Sequence, residues 1–179
     1  MDLSTALDNL VKISRKAGDE ILDVYNGTIS VTLKDDLSPL TDADRRSNKV
    51  ITDQLSELYP DIPILSEEGQ EINYSDRKGW NLFWLIDPLD GTKEFIKRNG
   101  EFTVNIALIE NGHPIAGVVY APTKDTFWYG AREIGSFKVD SDSDPEKISV
   151  INDSYNPIKI VSSRSHPSSK LQSYLDRFD

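Results

Sequence analysis

A chain of 179 residues, 37% of them hydrophobic and 28% charged, is long enough for one globular domain with a buried core. It has no cysteine, which excludes disulfides, thiol catalysis and thiolate metal sites. Its net charge of −10 disfavours a nucleic acid as partner. Because the sequence has neither a membrane-spanning apolar run nor the apolar core of a signal peptide, we expect a cytoplasmic protein without a transmembrane segment.

The first half of the sequence is predicted to form two helices and several strands. Apolar residues recur at helical spacing over 2–25, and Asn26-Gly27 indicates the end of that helix. Thr41 is a suitable N-cap for a second helix that continues to about Tyr59. Strands are predicted at 28–34, within 62–69 and at 80–87, the last of them buried on both faces, with a loop at 35–40.

The second half is predicted to be mostly strand. Asn111-Gly112 between two alternating runs is a strong turn signal and predicts a hairpin over 102–122. The other predicted elements are strands at 125–130, 135–139 and 158–166, a solvated loop at 140–147 and a last helix that opens at Pro167. Together these elements predict a layered α/β fold of the α+β type, in which the two N-terminal helices pack on one face of a largely antiparallel sheet.

Acidic side chains stand where the predicted elements begin or end. Asp44 lies at the start of the second helix, Glu67-Glu68 follows a short strand, and Asp87 ends the long apolar run three residues before Asp90. Side chains at strand ends commonly line ligand sites. A tight turn through Gly91 would let the two aspartates and the intervening backbone carbonyl face one point, and oxygen ligands of this kind favour Mg²⁺.

Two other interpretations of these carboxylates stay open on the residues alone. Asp-Pro-x-Asp-Gly is commonly a surface turn, and Glu67-Glu68 can be a solvated pair. Phosphatases of the haloacid dehalogenase type end an apolar strand with Asp-x-Asp-Gly-Thr, but there the aspartates are two residues apart. In this sequence they are three apart, at 87 and 90, which points the side chains differently and disfavours that reading.

The segment "WLIDPLDGTKEF", preceded by "SPLTDADRRSN" and "ILSEEG", resembles the inositol monophosphatase superfamily of Mg²⁺-dependent, lithium-sensitive phosphatases. The three motifs stand in the family's order, and the resemblance extends from about residue 5 to the last residue. "DGTKEF" and "VSSRSH", residues 161–166, are similar to the 3′(2′),5′-bisphosphate nucleotidase branch. The resemblance implies a sugar-phosphatase-type fold and a single domain over 1–179, corresponding to the N-terminal two-thirds of such an enzyme without its C-terminal layer.

The resemblance also implies site residues. It assigns catalysis to Thr92, which would orient the attacking water, and to Asp44, which would accept its proton. Metal ligation would come from the side chains of Glu67, Asp87 and Asp90 and the carbonyl of Leu89. The positions expected to contact the substrate are Glu67, Asp90, Gly91, Thr92, Ser163 and His166.

The activity implied by the resemblance is Mg²⁺-dependent hydrolysis of a phosphomonoester. Two or three Mg²⁺ ions would serve the conversion of 3′-phosphoadenosine 5′-phosphate to AMP and phosphate, with Li⁺ as inhibitor. The expected partner is therefore a small nucleotide bisphosphate, and self-association into a homodimer is left open. Alternatives are an inositol monophosphatase, another sugar phosphatase, or an inactive fragment that binds metal.

Overall fold

Two long helices and a seven-stranded sheet account for most of the first of two units, Met1–Ser149; the second is Val150–Asp179. The computed structural model describes residues 1–33, 39–150, 160–162 and 169–177. In chain order the elements of the first unit are α1 (Leu3–Asn26), β1 (Val31–Leu33), β2 (Pro39–Thr41), α2 (Asp42–Leu58), β3 (Ile64–Ser66), α3 (Tyr74–Arg77), β4 (Leu82–Asp90), α4 (Thr92–Ile96), β5 (Thr103–Glu110), β6 (His113–Ala121), a 3₁₀ turn (Pro122–Lys124), β7 (Thr126–Ala131), β8 (Gly135–Asp140) and β9 (Glu146–Ile148). The second unit contributes α5 (Ser169–Leu175).

Both long helices begin at capped N-termini and bury one stripe. The Asp2 carboxylate accepts hydrogen bonds from the backbone of Ser4 and Thr5 at the start of α1. At the start of α2, Thr41 and Asp44 form a reciprocal capping box, as the N-cap at Thr41 predicted. The buried stripe of α1 recurs every three or four residues, at Ala6, Leu10, Ile13, Ala17 and Ile21.

The large sheet has the strand order β3-β4-β5-β6-β7-β8-β9. Only β3 and β4 pair in parallel, and every other neighbouring pair in this sheet is antiparallel. β1 and β2 form a separate antiparallel pair. The predicted hairpin at Asn111-Gly112 is confirmed, since β5 and β6 flank those two residues.

The helices cover one face of this sheet, which confirms the predicted layered class. α1 contacts β5, β6 and β7, and α2 contacts β4. The core between the layers includes Leu10, Ile51, Trp84, Ile106 and Tyr120.

The prediction that residues 80–87 are buried on both faces is wrong. Trp84 and Ile86 are buried under the helices, but Leu85, which points the other way, is 43% exposed. A shallow depression of about 730 Å³ lies on that second face and includes Leu85, Val119 and Trp128 in its lining. In this sheet, the continuous apolar run over 80–87 therefore belongs to a strand of which only one face is covered.

Other differences concern short elements. Pro39 and Leu40, predicted as loop, belong to β2, where proline at the first position needs no ladder donor. Glu146 and Lys147, predicted as solvated loop, pair with β8 as an edge strand, a place where charged residues are common. Residues 160–162 lie outside any strand, and the rest of the predicted strand 158–166 falls outside the described residues.

The last predicted helix is present as α5, although its expected start at Pro167 also falls outside the described residues. The short helices α3 and α4 were not predicted. Among the helices of the described residues, none has the length and apolar character needed to traverse a bilayer.

Candidate active site

The ends of β3 and β4 place Glu67 beside Asp87. The two strands run parallel, with Ser66 in register with Ile86, so their carboxyl ends meet at the same edge of the sheet. The Glu67 amide donates to the carbonyl of Ile86 over 3.1 Å, which continues the ladder one step past the strand. The next residue on each strand, Glu67 and Asp87, is a carboxylate.

An irregularity in β4 brings Asp90 to the same side as Asp87. Asp87 pairs with Asn105 on β5 and Asp90 pairs with Thr103, so three steps along β4 match two along β5. In a regular strand, residues three apart point to opposite faces; one extra residue removes that alternation. The Asn105 side-chain amide donates to Asp90 Oδ2 over 3.3 Å, so both aspartates are neighbours of Asn105.

The carboxylates around Asp87 repel one another. Burial, followed by the negative charges of Glu67 and Asp90, raises the pKa of Asp87 to about 7. Its Oδ1 atom is buried and accepts no hydrogen bond within the described residues, and the same is true of Asn105 Oδ1. Two buried oxygens without donors, beside converging negative charges, are what a bound cation would satisfy.

A second pair, Asp44 and Thr92, is formed by α2 and α4. Thr92 Oγ1 lies 3.2 Å from Asp44 Oδ1 and 3.4 Å from the carbonyl oxygen of Leu89, so its single proton serves one acceptor at a time. Asp44 Oδ2 accepts from the backbone of Thr41 over 2.7 Å and from its hydroxyl over 2.6 Å. Burial raises the pKa of Asp44, and the hydrogen bonds from Thr41 and Thr92 oppose that rise.

Gly91 connects the Asp87–Asp90 motif to Thr92, and its position leaves no room for a side chain. Its φ of 97° lies in the left-handed region, and an added Cβ would lie 2.8 Å from the carbonyl oxygen of Glu101. It is also the N-cap of α4, and its carbonyl accepts the amide of Phe95 over 2.9 Å. The direction in which the chain turns from Asp90 into Thr92 therefore depends on this glycine.

Three polar residues that were not predicted from the sequence support the site. Ser47 on α2 donates to the Pro88 carbonyl over 2.7 Å, and Asn48 accepts from Ser66 at the end of β3 over 2.6 Å. Asn105 is the third, through its bond to Asp90. A sequence signal exists for two of them: Ser47 continues the buried stripe of α2 one turn after Asp44, and Asn105 interrupts the apolar strand "TVNIALI".

The oxygen ligands present suit a magnesium ion that also binds water and substrate better than they suit a metal ion held by protein side chains alone. Within the described ranges, no three His, Cys, Asp or Glu side chains lie close enough together to hold one ion. Magnesium is commonly bound by one or two carboxylates together with water and substrate phosphate. Divided between two or more ions, the carboxylates of Glu67, Asp87 and Asp90 and the Leu89 carbonyl would supply such partial oxygen sets.

The structure thus brings six of the predicted residues to one region: Asp44, Glu67, Asp87, Leu89, Asp90 and Thr92. Gly91 lies in the turn between them. The predicted substrate contacts Ser163 and His166 fall outside the described residues. Which of these groups bind metal or substrate stays a prediction.

Comparison with known proteins identifies the family. A profile described as "Inositol monophosphatase family" matches residues 2–177. The chain belongs to the inositol monophosphatase family. This confirms the family resemblance found in the motifs.

Sequence identity and structural similarity to individual members of the inositol monophosphatase family differ from one member to another. It is 48% identical to the 3′(2′),5′-bisphosphate nucleotidase CysQ of Shigella flexneri over 173 residues, which are 96% of this chain and 68% of that protein. The crystal structure of CysQ from Bacteroides thetaiotaomicron matches with a TM-score of 0.78 at 35% identity, covering 97% of this chain and 68% of that one. The inositol monophosphatase of Thermotoga maritima matches less closely, with a TM-score of 0.69 at 29% identity, over 83% of this chain and 54% of that one.

Proposed function

We propose that this chain is a Mg²⁺-dependent 3′(2′),5′-bisphosphate nucleotidase that acts in the cytoplasm and converts 3′-phosphoadenosine 5′-phosphate to AMP and phosphate. The observation that carries the proposal is the convergence of Glu67, Asp87 and Asp90 beside the Thr92–Asp44 pair. Among the solved structures, the identity to a CysQ (35%) exceeds that to the Thermotoga maritima inositol monophosphatase (29%), which supports this substrate over inositol phosphates.

The residues that would hold Mg²⁺ are Glu67, Asp87 and Asp90, with the Leu89 carbonyl, and we propose two or three ions. Bound Mg²⁺ lowers the pKa of a water molecule and neutralises charge on phosphate oxygens. Without a cation, burial and then the negative charges of Glu67 and Asp90 raise the pKa of Asp87 to about 7. Li⁺ inhibition is proposed on the family resemblance.

Thr92 would orient the attacking water, and Asp44 would accept its proton. When the Leu89 carbonyl is engaged elsewhere, the Thr92 hydroxyl donates to Asp44, and its oxygen lone pairs are then available to accept from water. Asp44 is 1% exposed, and its raised pKa makes it a stronger proton acceptor than a solvated aspartate. Its second oxygen is fixed by Thr41, which keeps the carboxylate oriented.

Contacts to the substrate complete the proposal. Asp90, Gly91 and Thr92 follow one another where β4 turns into α4, and phosphate bound there would approach the backbone of Gly91 without a side chain in the way. Glu67 is a further proposed contact. We keep Ser163 and His166 as proposed contacts to the nucleotide. We also propose that residues 1–179 act as one domain and that the chain forms a homodimer. Limited proteolysis tests the first of these proposals, and sedimentation equilibrium tests the second.

Phosphate release tests the function. We expect turnover of 3′-phosphoadenosine 5′-phosphate to exceed that of inositol 1-phosphate and fructose 1,6-bisphosphate, to require Mg²⁺ and to fall when Li⁺ is added. Preference for inositol 1-phosphate would replace the nucleotidase assignment with an inositol monophosphatase. Calorimetric binding of Mg²⁺ with background turnover of all three substrates would indicate a metal-binding protein without this activity.

A further inference from the structure

The position of Thr92 depends on α4, a helix of only five residues that begins at Thr92 itself. A helix this short is not stable alone in water, so tertiary contacts must fix its direction. Phe95 on α4 has no exposed surface, and its ring centroid lies 5.2 Å from that of Tyr25 and 5.3 Å from that of Phe102. The rings of Tyr25 and Phe102 are themselves 5.1 Å apart, so α4 packs on the last turn of α1 through three aromatic rings.

Arg98, just after α4, adds a directional contact to this packing. Its guanidinium donates to the backbone carbonyls of Tyr25 and Gly27, the latter over 2.6 Å, and lies 5.5 Å from the centroid of the Tyr25 ring. The last turn of α1 has no basic residue of its own, so Arg98 supplies the cation that its terminal carbonyls favour. The guanidinium fork fits two acceptors at once, which one ammonium on a flexible stem cannot match.

The backbone of Arg98 is held in an unusual conformation. Its φ of 56° lies in the left-handed region, which non-glycine residues rarely adopt, and its amide donates to the Phe95 carbonyl over 3.0 Å. This turn directs the side chain back to the end of α1. Because its guanidinium is bonded to the carbonyls of Tyr25 and Gly27, Arg98 would act on Thr92 through α4 and not by direct contact with the reacting atoms.

We propose that Arg98 is a positioning residue, which holds α4 against the end of α1 so that the Thr92 hydroxyl stays within hydrogen-bond distance of Asp44. This role rests on the proposed function, because it is the Thr92–Asp44 pair that would handle the proton of the attacking water. The contacts that carry it are the two carbonyl bonds, the Tyr25 ring and the aromatic packing of Phe95.

The kinetic test compares Arg98 with a second arginine, Arg77, that lies outside the site. Arg98→Ala is expected to lower kcat about 10-fold with little change in KM or in the Mg²⁺ requirement, because only the orientation of Thr92 is disturbed. Arg98→Lys is expected to recover part of the loss. Arg77→Ala is the matched control, since Arg77 also lies over a tyrosine ring, that of Tyr74, and also donates to a backbone carbonyl, that of Ile72, but contacts no residue of α4 within the described part of the chain.

A double-mutant cycle separates positioning from general destabilisation. In a Thr92→Val background, Arg98→Ala should cost at most about 2-fold in kcat, because the group that Arg98 positions is already absent. If the two losses multiply, or if Arg77→Ala lowers kcat as much as Arg98→Ala does, the positioning role is wrong.

Hydrogen exchange tests the same role without activity. In Arg98→Ala, amides within 92–97 are expected to exchange about 10-fold faster, while those of β5 and β6 stay as slow as in the unsubstituted protein and Arg77→Ala changes neither region. Unchanged exchange within 92–97 overturns the inference. If the unsubstituted protein hydrolyses none of the phosphomonoesters, the proposed function fails, and exchange alone then decides whether Arg98 holds α4.

Discussion

Asp44 on α2 is fully buried and Asp87 on β4 is half-buried, and the surroundings of these two carboxylates differ. Asp44 has protein donors on both oxygens, from Thr41 on one side and Thr92 on the other. Asp87 has a buried oxygen without a donor in the part of the chain that the structure describes, and two neighbouring carboxylates. The pKa of each is raised, mainly by burial, but only for Asp87 do like charges add to the rise.

The difference separates two functions of one site. The chain itself completes the environment of Asp44, which is a preorganised hydrogen-bond acceptor. Under the proposed function a cation would complete the environment of Asp87, because carboxylates this close are unfavourable without a counter-ion. Substitutions should therefore affect metal binding at Asp87 and proton handling at Asp44, and each can be measured separately.

The largest effect is expected for Asp87→Asn. Removing the carboxylate between Glu67 and Asp90 should lower kcat/KM by about 10³-fold or more, and Mg²⁺ should no longer raise the melting temperature. Phosphate release and thermal unfolding with and without Mg²⁺ measure the two changes. Asp53→Asn, an exposed carboxylate paired with Lys49, is the control and should change neither. Full Mg²⁺ stabilisation in Asp87→Asn would show that the cation binds elsewhere.

A smaller loss, about 10²- to 10³-fold in kcat, is expected for Asp44→Asn, because the amide is a poor proton acceptor. The apparent affinity for Mg²⁺ should stay close to that of the unsubstituted protein, in contrast to Asp87→Asn. Titration of activity with Mg²⁺ measures both values. Asp42→Asn serves as the control, since Asp42 lies in the same first helical turn but is exposed and bonds only to Arg45 among the contacts described. Loss of Mg²⁺ binding in Asp44→Asn would contradict the division between the two carboxylates.

The pH dependence of stability should show the same contrast in metal-free protein. Because the pKa of Asp87 rises from 3.8 to about 7 on folding, the native state holds a proton that the unfolded chain has released between those values. The free energy of unfolding should therefore fall as pH rises from about 4 to 7, with a slope below the one-proton limit of about 1.4 kcal/mol per pH unit because Asp87 is partly exposed.

Denaturant titrations in a chelator measure this slope at several pH values. Asp87→Asn should flatten it, and saturating Mg²⁺ should restore stability at neutral pH in the unsubstituted protein. A slope that persists in Asp87→Asn would assign the proton to another group.

The same comparison shows what could be predicted from the sequence. The residues alone place Glu67 and Asp87 at strand ends and Asp44 at the start of a capped helix, positions that are typical of ligand sites. Their assignment to one site comes from the family resemblance, because a surface turn and a solvated pair fit the same residues. The irregularity that turns Asp90 to the side of Asp87 could not be predicted, since which strand takes an extra residue depends on its pairing with β5. The exposure of Leu85 could not either, because an apolar run does not tell whether one or both faces of a strand are covered.

The smallest effect is expected at Asn105, which lies opposite Asp87 on β5 and donates a hydrogen bond to Asp90. Asn105→Ala removes the donor to Asp90 and the buried oxygen opposite Asp87, and should weaken Mg²⁺ binding about 10-fold while kcat at saturating Mg²⁺ changes little. Asn81→Ala, an exposed asparagine just before β4, is the control for calorimetric titration with Mg²⁺. If Asn105→Ala lowers kcat at saturating Mg²⁺ as strongly as Asp44→Asn does, Asn105 takes part in the reaction itself, and the division between a metal side and a proton side does not hold at this residue.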